Sequence, residues 1–204
     1  MKAVPTTFFD FAKDKALLRP SDAVALGRSR IYLAQLTQRG LLHKISRGLY
    51  ALPHRTASEF ATLAEITSKH PQVLVCLLSA LAFHGLTTQA PFEVWIAVGN
   101  KCRAPLLPYP PLRIARFSGA ALTEGVEIHE IEGVPVKVTN VAKTIVDCFK
   151  YRNKIGLDVA LEALKGAWNA RQVTMDELWY YGQICRMRNV MRPYLDGLAA
   201  QSSA

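Results

Sequence analysis

The side chains whose types and spacing could do chemistry cluster between residues 28 and 47. Arg28, Tyr32, Gln35 and Arg39 stand at i, i+4, i+7 and i+11, so on a helix they share one face, and Arg30 joins them where that helix begins. A guanidinium can pair with the major-groove edge of guanine, a glutamine amide with that of adenine, and a tyrosine hydroxyl can reach a phosphate. An exposed helix carrying such donors, flanked by cations that hold the backbone, is what duplex recognition needs. Ser29 lies at the head of the same run, and Lys44 and Arg47 follow it. Which arginine meets which base is left open by the sequence.

Charge supports this placement. The chain of 204 residues has a formal net charge of +9, and residues 1–55 supply +7 of it, with ten Lys/Arg against three acids. A cationic excess confined to a quarter of the chain suits a surface that releases counterions from phosphates. Half of the residues are hydrophobic, enough for about two buried cores in a chain of this length.

The elements that must position these residues follow from pattern. Phe8 to Leu18 has the apolar spacing of a short amphipathic helix, stopped by Arg19-Pro20. Ser21 is expected to cap a second helix that ends at Gly27, and Ser29 a third, whose Leu33 and Leu36 face inward before Gly40 ends it. Leu41–Ile45 and Leu49–Leu52 read as two strands with Ser46-Arg47-Gly48 as the turn. Three helices and a basic hairpin make a winged helix-turn-helix, with Arg47 at the wing tip, aimed at a minor groove or a phosphate, and Lys44 assisting.

The expected domains are this module over residues 1–55 and a second over 56–204, an α+β chain overall. Ser58 is expected to cap a helix ending before Pro71, and Val73–Leu86, apolar nearly all round, to be a buried helix. Strand-like segments then run from Glu93 to Val98, Arg113 to Phe117, Val126 to Ile131 and Val134 to Val138, giving a small sheet over about 92–138. Between the first two, Leu106–Pro111 reads as a rigid polyproline-like connector. Helices over about 140–198 close the chain, the first opened by Thr139 and Asn140.

Enzymatic function finds little support. His84 reads as a cap or core histidine, Glu127 and His129 share a strand face without a third ligand, and Asp147 is spaced to pair with Lys143. No phosphate-cradling glycine loop occurs, no cofactor or metal site is expected, and the four cysteines lack C-x-x-C spacing, as for free thiols in a reducing compartment. No apolar run is long enough to span a bilayer, so the expected setting is the bacterial cytoplasm. A solvated or functional basic face is expected around Lys143, Lys150, Arg152 and Lys154.

Arg19-Pro20-Ser21-Asp22, Gly27-Arg28-Ser29-Arg30 with Leu33 and Leu36, Arg39-Gly40-Leu41-Leu42 and Ser46-Arg47-Gly48-Leu49-Tyr50-Ala51-Leu52-Pro53 together resemble the N-terminal domain of AbiEi-type antitoxins. Ser79–Leu86 and Val138-Thr139-Asn140 with Lys143-Thr144-Ile145-Val146-Asp147 are similar to segments further along that family, which usually has arginine where Lys143 stands. The resemblance implies a type IV toxin–antitoxin role. In it, the N-terminal domain represses its own promoter through inverted repeats in double-stranded DNA, and the C-terminal domain opposes a nucleotidyltransferase toxin, not as a rule by binding it. Lys143, Asp147, Lys150, Arg152 and Lys154 are then the candidate antitoxicity surface. The alternatives are a winged-helix regulator sensing a ligand or partner through its C-terminal domain, and a nucleic-acid-processing enzyme.

Overall fold

A computed structural model of the chain describes residues 8–54, 58–89, 92–107 and 109–202. Helix makes up 48 % and strand 18 %, the mixed class expected. Contacts divide the chain into two units: Met1–Lys69 with Glu130–Pro135, and His70–His129 with Val136–Ala204.

In the first unit, α1 (Phe8–Asp14), α2 (Pro20–Ala25) and α3 (Tyr32–Gln38) precede the antiparallel pair β1 (His43–Ser46) and β2 (Leu49–Ala51), and α4 (Ala61–Lys69) follows. Phe8, Ala12, Leu18, Ala23, Leu33, Leu36, Leu42 and Tyr50 form the core. The first helix ends before Leu18, contrary to expectation, because Leu18 is extended and bridges Tyr50: its N–H donates to the Tyr50 carbonyl at 2.8 Å and its carbonyl accepts in return at 2.9 Å. That bridge ties the hairpin to the helices.

Ser21 does not cap α2. Pro20 occupies the first turn, where its missing N–H costs nothing, and the Asp22 carboxylate accepts from the Arg19 N–H at 2.7 Å. Asp22 also pairs with Lys15 at 2.8 Å, which fixes the α1–α2 connection.

A five-stranded sheet in the order β5-β4-β3-β7-β6 runs through the second unit, from β3 (Leu74–Val75), β4 (Val94–Gly99), β5 (Leu112–Phe117), β6 (Val126–Ile131) and β7 (Val134–Thr139), the adjoining ends of β6 and β7 and the turn between them, Glu130–Pro135, being counted with the first unit. β3 is antiparallel to β4 and parallel to β7, and β4 and β5 run parallel from Val94↔Leu112 to Gly99↔Phe117. Val94–Val98 is buried throughout, so β4 reads as a continuous apolar run, the pattern of a strand covered on both faces. Glu132 and Gly133, both at positive φ (53° and 75°), form the turn between β6 and β7.

The expected buried helix over Val73–Leu86 is corrected here. Leu74–Val75 is strand β3, and the helix, α5 (Leu77–Phe83), starts only at Leu77, whose φ is +50°. The short α6 (Ala120–Thr123) follows β5. Asn140 caps α7 (Val141–Lys150) by accepting from the Lys143 N–H at 2.8 Å. After α7 come α8 (Arg152–Ile155), α9 (Leu157–Asn169), α10 (Met175–Ile184), with Thr174 and Glu177 as a capping box, and α11 (Arg188–Ser202).

Helix α7 is the centre of this unit, buried from Ala142 to Phe149. Lys143 and Asp147 therefore do not belong to a surface, as the candidate antitoxicity face had them; both are 0 % exposed. The Lys143 ammonium donates to Asp147 Oδ2 at 2.5 Å and lies 4.6 Å from the Phe117 ring centroid, while the Cys185 thiol donates to Oδ1 at 3.4 Å. Burial pushes the Asp147 carboxyl above its ordinary value, against the pull of Lys143. Desolvation, with the Asp147 charge, pushes the Cys185 thiol up to about 12.

Candidate nucleic-acid interface

Helix α3 is oriented by what it buries. Leu33 and Leu36 are 0 % and 3 % exposed against the first core, so the opposite side faces solvent. Its end is fixed at Gly40, whose φ of +72° lets the Leu41 N–H reach the Leu36 carbonyl at 3.0 Å and the Gly40 N–H that of Thr37 at 3.0 Å. The chain then turns directly into the hairpin. At the hairpin tip Arg47 and Gly48 make the turn, with an irregular register between Lys44 and Ser46 that twists the strand ends.

Arg28, Ser29, Arg30, Gln35, Arg39, Lys44 and Arg47 are all exposed, as the sequence placed them. Two details differ. The helix begins at Tyr32, not at a Ser29 cap: the Ser29 carbonyl accepts from the Tyr32 N–H at 3.0 Å, leaving Arg28, Ser29 and Arg30 on the turn before the helix. Tyr32 itself is half-buried. Its ring meets Phe8 edge-on at 5.2 Å, and the Arg28 guanidinium lies 5.4 Å from it, so Tyr32 is a support for Arg28 as much as a donor.

From Ala23 to His54 the sequence contains no Asp or Glu. Among the described residues none of the five cations Arg28, Arg30, Arg39, Lys44 and Arg47 has an ion-pair partner, whereas Lys15 is held by Asp22 and Lys13 lies 3.9 Å from Asp10. The three acids of this region all precede the recognition segment, so its cations face solvent unneutralised. Sequence pattern missed Ile31, which is 66 % exposed between Arg30 and Tyr32. The signal was present: Ile31 falls off the Leu33–Leu36 stripe. An apolar side chain there can meet a thymine methyl.

In the second unit Lys150 and Lys154 are exposed and Arg152 is half-buried, donating to the Phe149 carbonyl at 2.9 Å. His84 sits at the end of α5 and donates from Nε2 to the Thr139 carbonyl at 2.7 Å, which fixes its neutral tautomer. Burial holds its pKa below the ordinary histidine value. His129 pairs with Glu127 at 3.2 Å, and among the described residues no three His, Cys, Asp or Glu side chains converge on a metal position. No helix of the described residues is long and apolar enough to cross a membrane.

Three helices, the third with an exposed basic face, and a cationic hairpin bridged back to the helices define the first unit as a winged helix-turn-helix. Residues 9–53 match the family AbiEi_4, described as transcriptional regulator, AbiEi antitoxin, so the expected resemblance holds over that segment. The crystal structure of the Rv2827c protein from Mycobacterium tuberculosis is similar in fold, with a TM-score of 0.56 over 85 % of this chain and 68 % of that one, at 14 % identity. No curated protein matches the chain at a significant level.

Proposed function

We propose that the chain is a DNA-binding autorepressor that acts in the cytoplasm as the antitoxin of a type IV toxin–antitoxin system, countering a nucleotidyltransferase toxin. The observation that carries the DNA-binding part is the acid-free segment from Ala23 to His54, which displays Arg28, Arg30, Gln35 and Arg39 around α3 and Lys44 and Arg47 on the wing. In this account α3 enters a major groove, Arg28 and Arg30 stand at its leading end, Ile31 adds an apolar contact, and Arg47 grips the adjacent backbone or minor groove. One such module reads few base pairs, so two copies occupy inverted repeats in the chain's own promoter. Residues 1–55 then carry repression, and the rest of the chain, with Lys150, Arg152 and Lys154 on its surface, carries antitoxicity without a catalytic step. The antitoxin part is supported by the family match over residues 9–53.

A gel shift with a duplex from the chain's own upstream region tests the first part. The wild type retards it at physiological salt and the double variant Arg28→Ala, Arg47→Ala does not; equal retardation by both overturns the assignment. For the second part, growth arrest by a nucleotidyltransferase encoded beside this chain is relieved on co-expression. Relief that fails with a folded, DNA-binding chain overturns the antitoxin role.

A further inference from the structure

The second unit carries an exposed feature with no part in DNA binding. Strand β5 is an outermost strand of the sheet and pairs with β4 along all six of its residues. At Arg116 the outward backbone groups are occupied, since the Tyr151 hydroxyl accepts from the Arg116 N–H at 3.2 Å and donates to its carbonyl at 3.0 Å. By the alternation of a strand, the groups of Leu112 and Ile114 point out on that same edge. Among the described residues nothing bonds to them there.

Beside this open stretch runs a groove of about 810 Å³ lined by Leu78, Phe92, Trp95, Leu112, Ile114 and Lys154. Phe92 is 82 % exposed. Edges are ordinarily blunted by charge or proline, and Arg113 and Pro111 are such devices. A bared aromatic ring next to an apolar trough is the opposite of blunting and fits a strand-recognition site, in which backbone bonds supply affinity and alternate side chains fill pockets.

Charge decides the occupant. Among the described residues the one carboxylate lining the groove, Glu93, is bound by Arg113 at 2.6 Å, which leaves the exposed Lys154 as the lining cation without an acidic partner; the Arg116 guanidinium is taken up by the Gly99 and Cys102 carbonyls. A second copy of β5, whose only charged residues are Arg113 and Arg116, would bring no counter-charge to Lys154, whereas an acidic segment would. We propose that the β5 edge and its groove bind an extended, acidic segment of a partner protein, which adds to the sheet as a sixth strand. This rests on the second unit alone and is independent of the DNA-binding account.

The test uses the full chain and a fluorescein-labelled peptide of about ten residues alternating threonine or valine with glutamate, long enough to cover the edge, beside a control with lysine for glutamate. The glutamate peptide gives saturable anisotropy and shifts the amide resonances of Leu112 and Ile114. Lys154→Glu, at an exposed position, weakens it by about tenfold, the loss of one charge-assisted contact with repulsion added. Ile114→Pro removes the outward N–H and weakens it as well. The proposal is overturned by any of four results: no saturation, equal binding of the lysine peptide, affinity unchanged in Lys154→Glu, or displacement by single-stranded DNA with the same resonances shifted. A dimer of the chain that Ile114→Pro abolishes also overturns it, in favour of a second copy.

Discussion

Replacing Asp147 by leucine strands the Lys143 ammonium at a position with 0 % exposure. The ammonium then keeps only the face of Phe117 at 4.6 Å, and its desolvation is no longer offset by a carboxylate. Breaking a buried pair in this way costs about 3–5 kcal/mol, which at roughly 3 °C per kcal/mol for a chain of this size lowers the Tm by about 10–15 °C. Lys143→Met costs less, because the carboxyl it leaves behind can protonate and burial already favours the neutral form. That cost shrinks further in acid. The double variant Lys143→Met, Asp147→Leu returns to within about 2 kcal/mol of the wild type or exceeds it, since two apolar side chains need no partner. The assay is urea unfolding followed by tryptophan fluorescence, which reports the second unit because Trp95, Trp168 and Trp179 all lie in it. Single variants that each cost under about 1 kcal/mol and simply add in the double would refute the buried-pair account.

His84 gives a pH signature. Its pKa in the folded chain lies below 6.5, so the unfolded state binds the proton more readily. Its contribution is complete above pH 6.5 and is lost as pH falls from there through the folded value. His84→Gln, which can still donate to the Thr139 carbonyl, flattens that part of the stability curve; identical curves count against the assignment. Thiol titration of the native chain with an aromatic disulfide labels Cys102 alone, because Cys76, Cys148 and Cys185 are buried, and labelling of all four without denaturant contradicts the packing around α7. Gly40→Ala forces a side chain into φ +72° at the end of α3 and costs about 1 kcal/mol. An unchanged melting curve by circular dichroism would show that the helix ends otherwise.

The first unit was legible because its signals are local. Leu33 and Leu36 fix which side of α3 is buried, Gly40 ends it, and the turn at Gly48 needs a positive φ that the sequence advertises. The helix starts were less legible, since Ser21 and Ser29 are good caps by type but Asp22 and the Ser29 carbonyl take those tasks. Leu74–Val75 was hidden inside a longer apolar run, where a doubly covered strand and a buried helix look alike; only the reversal at Leu77 separates them. Lys143 and Asp147 looked like a surface pair because i, i+4 spacing is silent about burial, which here comes from α5, α9 and α10 packing around α7. The groove at β5 had one sequence trace, Phe92 before an apolar strand, which pattern alone does not distinguish from core.

In the proposed DNA complex the five cations of the recognition segment neutralise phosphates of the duplex, and salt dependence counts those contacts directly. With about −0.9 in slope per neutralised phosphate and one phosphate for each cation, log K per bound copy falls against log salt with a slope near −4.5, or about 500-fold weaker binding per copy between 50 and 200 mM salt. Removing two with Arg28→Ala and Arg47→Ala brings the slope to about −2.7, or roughly 40-fold over the same range. Slopes that separate in this way on a promoter duplex support the account. Parallel slopes, with binding retained, would place the DNA contact elsewhere on the chain.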